Sequence, residues 1–274
     1  MIKGLYSAAS GMVSMLGAND TLADNLANIN TPGFKKGITI FKSFAPLLLE
    51  KISADGNDRS TSGQKIGSLS PGSSLDSVST DFSQGRINKT DQEYDLALSG
   101  KGFFEVKTED GKTLYTRDGS FERSQEGFLV TREGHKVIGA DNKPINLGTS
   151  VIDFKITNDG TVAIKPTTGE TDATMADETA DTIQPVNKIK IVEFENTQAL
   201  SKMGANLYSD TGAAGLKLST GTSVVQGALE MSNANVISTM VKSIEGMRAY
   251  ETLAKIVETT GRNLEKATTQ LGKV

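Results

Sequence analysis

Residues 5–29 read LYSAASGMVSMLGANDTLADNLANI, and the period of that stretch decides the fold. Leu5, Met12, Asn19 and Leu26 recur every seven residues, and Ala8, Met15, Leu22 and Ile29 repeat in register three places on. Such spacing lines side chains along one helix face and makes an apolar seam that needs a partner. The far end of the chain answers it. There Ile237, Met240, Ile244, Met247, Tyr250, Leu253, Val257, Leu264, Ala267 and Leu271 fall at mostly three- and four-residue steps. Residues 1–33 and 230–274 are therefore each expected to supply one coiled-coil strand, with an apolar seam that wants a partner helix. A chain built this way is a part of something rather than a catalyst.

The first helix should run over 4–29, about 39 Å at 1.5 Å per residue. Asn30-Thr31-Pro32-Gly33 marks its stop, because the proline pushes Thr31 out of the helical region. Gly11 and Gly17 inside it each cost about 1 kcal/mol relative to Ala, and Asn19 weakens the seam while helping to fix its register. The helix should therefore form fully only when packed. The last helix should start near Ser232 or Asn235, either of which can cap it. On its outer face Glu251 precedes Lys255 and Glu258 precedes Arg262, the favourable order for i,i+4 pairs.

Between the helices the pattern changes twice. Residues 34–76 read as a linker or extended arm: an amphipathic stretch with Phe41, Phe44 and Leu47-Leu48-Leu49, then Ser, Gly, Asp and Asn from Ser53 to Ser74. Residues 77–229 read as a β domain. Short apolar or alternating runs lie at Leu96–Leu98, Phe103–Val106, Phe128–Val130, Lys136–Ile138, Val151–Ile156, Val162–Ile164 and Lys188–Phe194. Asp110-Gly111, Asp118-Gly119, Glu126-Gly127, Glu133-Gly134 and Asp159-Gly160 punctuate them as turns, so the sheet should be antiparallel and meander-like. The stretch 166–187 holds five acids and no Lys or Arg, and reads as a solvated loop. The fold class is α+β.

Composition excludes several functions. The net charge is −4 from 29 basic and 33 acidic residues well mixed along the chain, which gives no basic footprint for nucleic acid or an anionic membrane. No cysteine is present, so thiolate metal sites and cysteine nucleophiles are out. With 5% aromatic residues and no Trp, the core should be lean and built from Leu, Ile, Val, Ala and Met. One lysine and the interrupting Tyr6, Ser7, Ser10, Gly11 and Ser14 argue against a cleaved secretory signal at the start. No apolar run reaches the length of a membrane span.

No catalytic constellation stands out. The sole histidine, His135, sits in a turn-plus-strand context, where no second His can join it on a metal. Gly100-Lys101-Gly102 lacks the third glycine of a dinucleotide loop and leads into strand-forming Phe103-Phe104. Glu93 with Asp95, or Glu109 with Asp110, would have to serve as the acidic pair of an envelope-associated peptidoglycan hydrolase, and spacing alone carries no such geometry. A permanently folded coiled-coil stalk or adhesin is the other alternative.

Three strings carry a family resemblance. Gly4-Leu5-Tyr6-Ser7-Ala8-Ala9-Ser10-Gly11-Met12 with Asp24-Asn25-Leu26-Ala27-Asn28-Ile29-Asn30-Thr31-Pro32-Gly33-Phe34-Lys35 resembles the N-terminal signature of bacterial flagellar rod and hook proteins. Asp95-Leu96-Ala97-Leu98-Ser99-Gly100-Lys101-Gly102-Phe103-Phe104-Glu105-Val106, with Tyr115-Thr116-Arg117-Asp118-Gly119-Ser120-Phe121, resembles their shared β motif. Gly227-Ala228-Leu229-Glu230-Met231-Ser232-Asn233-Ala234-Asn235-Val236 and Arg248-Ala249-Tyr250-Glu251 resemble the C-terminal one.

The length resembles rod members more than the hook protein. Phe103-Phe104 and Ser83-Gln84-Gly85-Arg86-Ile87 lean to the distal type and Leu16-Gly17-Ala18-Asn19 departs from it, so proximal and distal both stand. The resemblance implies a structural rod subunit with no cofactor, whose ends pair and whose copies stack helically into a tube. A hook or hook-junction axial protein is the alternative within the family. Partners implied are further copies, other rod and hook axial proteins, the flagellar export apparatus and surrounding ring proteins. Neither nucleic acid nor membrane insertion is implied. The location implied is the flagellar basal body, reached across the cytoplasmic membrane without losing a signal peptide.

Overall fold

The computed structural model describes residues 2–51, 64–148, 151–166, 184–219 and 221–272. The chain divides into a helical unit (1–27, 37–79 and 235–274) and a β unit (28–36 and 80–234).

In the helical unit, α1 spans Ile2–Ala27 and α2 spans Val236–Leu271. Asn235 caps α2: its side chain accepts the Ser238 N–H at 3.0 Å, satisfying a donor that the helix leaves open. At the other end the Gly272 N–H bonds the Thr268 carbonyl at 3.0 Å. Glu258 and Arg262 form the expected ion pair on the outer face. The two helices run antiparallel, since Gly11 faces Leu253 while Asn19 faces Gly246. Helix α1 ends two residues short of Ile29, which falls in the β unit. Asn28 and Thr31 close the turn there, through the Thr31 N–H to the Asn28 carbonyl.

Residues 37–80 form strand pairs where the sequence suggested a linker. β1 (Gly37–Ser43) pairs with β4 (Ser73–Thr80), and β2 (Leu47–Lys51) pairs antiparallel with β3 (Gln64–Leu69). The Ser- and Gly-rich composition misleads because ladder bonds belong to the backbone and need no apolar side chain. Residues 52–63 of that stretch lie outside the described residues. Helix α1 seats the strands with small side chains. Ser14 Oγ donates to the Ser73 carbonyl at 3.0 Å, and the Asn25 amide accepts from Gly37 N–H and donates to its carbonyl, both at 2.8 Å.

The β unit runs β5 (Ile87–Lys89), β6 (Leu96–Ser99), β7 (Phe103–Lys107), β8 (Thr113–Thr116), β9 (Phe121–Arg123), β10 (Leu129–Thr131), β11 (Lys136–Val137), β12 (Val151–Ile156), β13 (Thr161–Pro166) and β14 (Gln184–Lys188). It continues with β15 (Ile191–Phe194), β16 (Leu200–Gly204), β17 (Leu207–Asp210), β18 (Leu216–Leu218), β19 (Ser223–Gln226) and β20 (Ala228–Glu230). The main sheet has the order β16-β17-β8-β7-β11-β10-β9, with β15 joining β7 to β18. Separate ladders are β12-β13-β14, β6-β19 and β5-β20, and the pairing is antiparallel throughout these sheets. The acidic loop lies mostly outside the described residues, at 167–183.

Two cores lie in this unit. One gathers Leu96, Leu98, Phe104, Val106, Phe121, Leu129, Ile145, Phe154 and their neighbours; the other gathers Phe103, Tyr115, Val192, Phe194, Leu200 and Tyr208. Successive strand residues point to opposite faces, so the Phe103-Phe104 doublet serves one core with each ring. The second core departs from the lean aliphatic expectation, because the few aromatics concentrate there. Phe103 and Tyr115 each meet Phe194 edge to face, with centroids 5.5 and 4.9 Å apart. Methionine contributes to neither core.

Gly119 tests this packing. A Cβ there would stand 1.6 Å from the Leu96 carbonyl oxygen, a backbone atom, whereas one at Gly134 would meet nothing within 4 Å and only strain φ at +87°. Gly119→Ala should lower stability by about 3 kcal/mol, and Gly134→Ala by about 1 kcal/mol, as read from urea midpoints of the full chain. Equal losses would contradict the close approach.

Candidate functional site

The three resembling strings meet at one carboxylate. Glu230, at the end of β20, is buried among two cations drawn from distant parts of the chain. Its Oε1 accepts from Lys35 Nζ at 2.6 Å and from the Gly85 N–H at 2.8 Å, and its Oε2 accepts from Arg117 Nη1 at 3.1 Å. The side chains of Lys35 and Glu230 are 0% exposed and that of Arg117 is 2% exposed. Lys35 also donates to the Ser83 carbonyl at 2.8 Å, and Arg117 Nη2 donates to the Gly100 carbonyl at 2.7 Å. The Arg117 guanidinium lies 5.0 Å from the Phe103 ring centre, which couples the charges to the aromatic core.

Local structure places each member. Gly33 turns the chain with φ +68°, its N–H bonded to the Glu230 carbonyl at 2.7 Å; a Cβ there would lie 2.3 Å from the Asp118 nitrogen. Phe34, next along, is buried beneath the Lys202 ammonium, 4.3 Å from its ring centre. The Asn206 amide donates to the Pro32 carbonyl at 3.0 Å. Arg117 sits in a bend tied by Asp118, whose carboxylate accepts from the Ser120 N–H at 2.9 Å and its hydroxyl at 2.6 Å. Gly100 and Gly102 let neighbouring segments approach, since a Cβ on Gly100 would press against Thr222 and one on Gly102 against Ile191 of β15.

Burial lowers the pKa of both Lys35 and Arg117, and the attraction to Glu230 only partly offsets that. Desolvation therefore outweighs pairing for the two cations. Removing one partner of such a buried cluster is costly, because it leaves an uncompensated charge inside. Burial also raises the pKa of Tyr208, whose hydroxyl and the Arg117 Nε lack a partner.

The seam residues divide. Leu5, Met12, Met15, Leu22 and Leu26 on α1, and Leu253, Val257 and Leu264 on α2, are partly buried, while Ile29 is partly buried in the β unit. Ile237, Met240, Ile244 and Met247 are exposed, Ile237 to 75%, and Tyr250 sits at the margin of exposure. Leu271 is the last helical residue. In this half of α2 the buried or partly buried face carries Thr239, Ser243, Gly246 and Ala249, about 100° round from the large apolar residues. A Cβ on Gly246 would stand 2.4 Å from Asn19 Oδ1, so small residues bring the helices together and turn the apolar stripe outward.

The small-residue spacing was the overlooked signal. It recurs on α1 as Ser10, Ser14, Gly17, Thr21 and Asn25, which meet or approach the strands. Of the remaining motif residues, Asn28 accepts from Thr31, while Asn30, Arg248 and Glu251 are exposed.

A second uncovered surface lies in the same unit. Lys3, Tyr6, Ala9, Ser10 and Val13 of α1, with Phe44, Leu47 and Pro71, line an open apolar groove of about 540 Å³; Tyr6 is 67% and Val13 72% exposed. No group of three His, Asp or Glu side chains suited to a metal occurs among the described residues. His135 lies in the turn before β11, its N–H bonded to Thr131 Oγ1 at 3.2 Å.

These features define an α+β protein with a helix near each end of the chain and an antiparallel β unit in the sequence between them. Family signatures cover the chain in the same order: flagella basal body rod protein over 5–35, flagellar hook protein FlgE/F/G D1 domain over 97–164, and flagellar basal body rod FlgEFG protein C-terminal over 225–271. The chain is 33% identical to the flagellar basal-body rod protein FlgG of Buchnera aphidicola subsp. Schizaphis graminum and 32% identical to FlgG of Bacillus subtilis. Each match covers 97% of this chain and 98% of the relative. It is also 30% identical to the rod protein FlgF of Caulobacter vibrioides over the full length of both. The chain belongs to the flagellar basal-body rod protein family.

Glu230→Gln keeps the shape but leaves two buried cations without a counter-charge. It should cost about 3–5 kcal/mol, measured by urea unfolding of the full chain followed through tyrosine emission. A loss below about 1 kcal/mol, the scale of an exposed pair, would contradict the role given to this carboxylate.

Proposed function

We propose that the chain is a structural subunit of the flagellar rod, polymerising helically into the tubular shaft that carries torque to the hook. The carrying observation is that the helical unit bears two unlike uncovered apolar faces: the α2 stripe Ile237, Met240, Val241, Ile244 and Met247, and the groove at Tyr6, Val13, Phe44 and Leu47. When unlike faces of identical subunits meet, the contact is heterologous, and it generates an open helix if the rotation does not close. The partly buried seam residues Leu5, Met12, Met15, Leu22 and Leu26 of α1 and Leu253, Val257 and Leu264 of α2 pair as an antiparallel coiled coil, and the exposed α2 stripe seats in a neighbour's groove. The role is mechanical and not enzymatic, which the full-length likeness to rod proteins supports.

Further copies and other rod and hook axial proteins are the partners, together with the export apparatus and surrounding rings. No described helix is long and apolar enough to cross a membrane. The protein works in the basal body and reaches it without a cleaved signal peptide.

Ile244→Asp changes an exposed position, so it should shift stability by less than about 0.5 kcal/mol while abolishing incorporation into basal bodies. Leu26→Asp and Leu264→Asp should abolish incorporation too, with the β unit still folded by hydrogen exchange. Basal bodies purified from cells expressing each variant give the readout. Normal incorporation of Ile244→Asp would contradict the proposed contact.

A further inference from the structure

We infer that residues 227–234 act as a completion latch: the β unit stays open until this late segment delivers Glu230 to Lys35 and Arg117. The unit is discontinuous in sequence. Lys35 lies 195 residues before Glu230, and Arg117 lies 113 before it. Both cations are inside, and Glu230 is the only acid that ion-pairs with either among the described residues. Without residue 230, closing strands β6 to β19 would bury two cations that have lost their ion-pair partner, with only the more distant Asp81 and Glu193 acting on them.

The same eight residues hold the flanking segments. The Gly227 carbonyl accepts from Thr90 N–H at 2.8 Å and Asp91 N–H at 3.1 Å, and the Gly227 N–H reaches the Asp95 carbonyl at 2.8 Å. Ala228, Leu229 and Glu230 pair with Lys89, Asn88 and Ile87, and the Met231 N–H reaches the Arg86 carbonyl at 2.8 Å. The Asn233 amide accepts from the Lys36 N–H at 2.9 Å and donates to the Asp81 carbonyl at 2.8 Å and to Ser83 Oγ at 3.0 Å. A Cβ at Gly85 would stand 1.9 Å from the Met231 carbonyl oxygen, so the segment lies hard against the one it closes over. Segments 33–36 and 81–91 thus find much of their bonding in the last stretch of the unit to be made. Charge, ladder and side-chain bonds all place closure at the end of synthesis.

The test follows folding as the chain emerges. An arrest peptide placed after successive lengths of the translated chain reports the pull of folding as the fraction released. The expected result is no release peak for the β unit while residue 226 is the last outside the ribosome, and a peak once residue 234 has emerged. Glu230→Gln should lose that peak, in line with a drop of about a hundredfold or more in the folded-to-unfolded ratio. The combined change Lys35→Met, Arg117→Met and Glu230→Met, which removes every charge at once, should regain it. A full peak with the chain out only to residue 226 would overturn the latch, as would an undiminished peak in Glu230→Gln. A combined variant lacking the peak would overturn its basis in charge, since shape and not uncompensated charge would then control closure.

Discussion

One carboxylate neutralising two buried cations is the constraint on which this molecule turns. Burial of Lys35 and Arg117 costs more than their attraction to Glu230 returns, as the lowered pKa of each cation reflects. Losing one member of such a cluster leaves a buried charge uncompensated. The cluster rejects any register of the β unit in which β20 fails to meet Gly33 and Gly85. The N-terminal, central and C-terminal strings that mark the family are thereby parts of one object: Gly33 and Lys35, Gly100 and Arg117, and Glu230 with Asn233 all serve it.

The helical unit is organised on the opposite principle. Small residues bring its parts close, beside partly buried large ones such as Leu26, Leu253 and Leu264. Gly11 admits Leu253, Gly246 admits Asn19, and Ser14 and Asn25 bond strand backbone directly. Close approach consumes the small faces and leaves Ile237, Met240, Ile244 and Met247 in the open. An exposed apolar stripe and an exposed apolar groove in one unit are costly to leave in water at about 25 cal/mol per Å². Docking with neighbouring copies is the natural relief. Specificity is thus settled inside the β unit, and the driving force for assembly is held in reserve on the helices.

Much of the fold was legible in the sequence, and the failures have physical reasons. Heptad spacing with the Asn30-Thr31-Pro32-Gly33 stop marks the first helix and three- and four-residue apolar steps mark the last, and of the two caps the sequence allows, Ser232 and Asn235, the structure uses Asn235. Phe103-Phe104 read as strand, but its two-sided burial became visible only when β7 was seen between two cores. The stretch 34–76, which reads as a linker or extended arm, holds β1, β2, β3 and the first half of β4; the Ser and Gly of β3 and β4 say little about backbone bonds, and β1 and β2 show no clean two-residue alternation. In the first half of α2 the large apolar residues of the seam face outward and Gly246 with its small neighbours faces α1, whereas Leu253, Val257 and Leu264 further along are partly buried. Lys35, Arg117 and Glu230 lie within the family motifs, but their sequence context carries no sign that they meet. Nothing local announces a pair 195 residues apart.

The central claim is that the stripe on α2 is covered by a second copy in the assembled structure. Site-specific photocrosslinking in intact basal bodies tests it most directly, with the crosslinker placed at Ile244 and the product mapped by mass spectrometry. The account predicts an intermolecular crosslink to the Tyr6, Val13, Phe44 and Leu47 surface of another copy. Crosslinks confined to the same chain, or to a different protein alone, would contradict it.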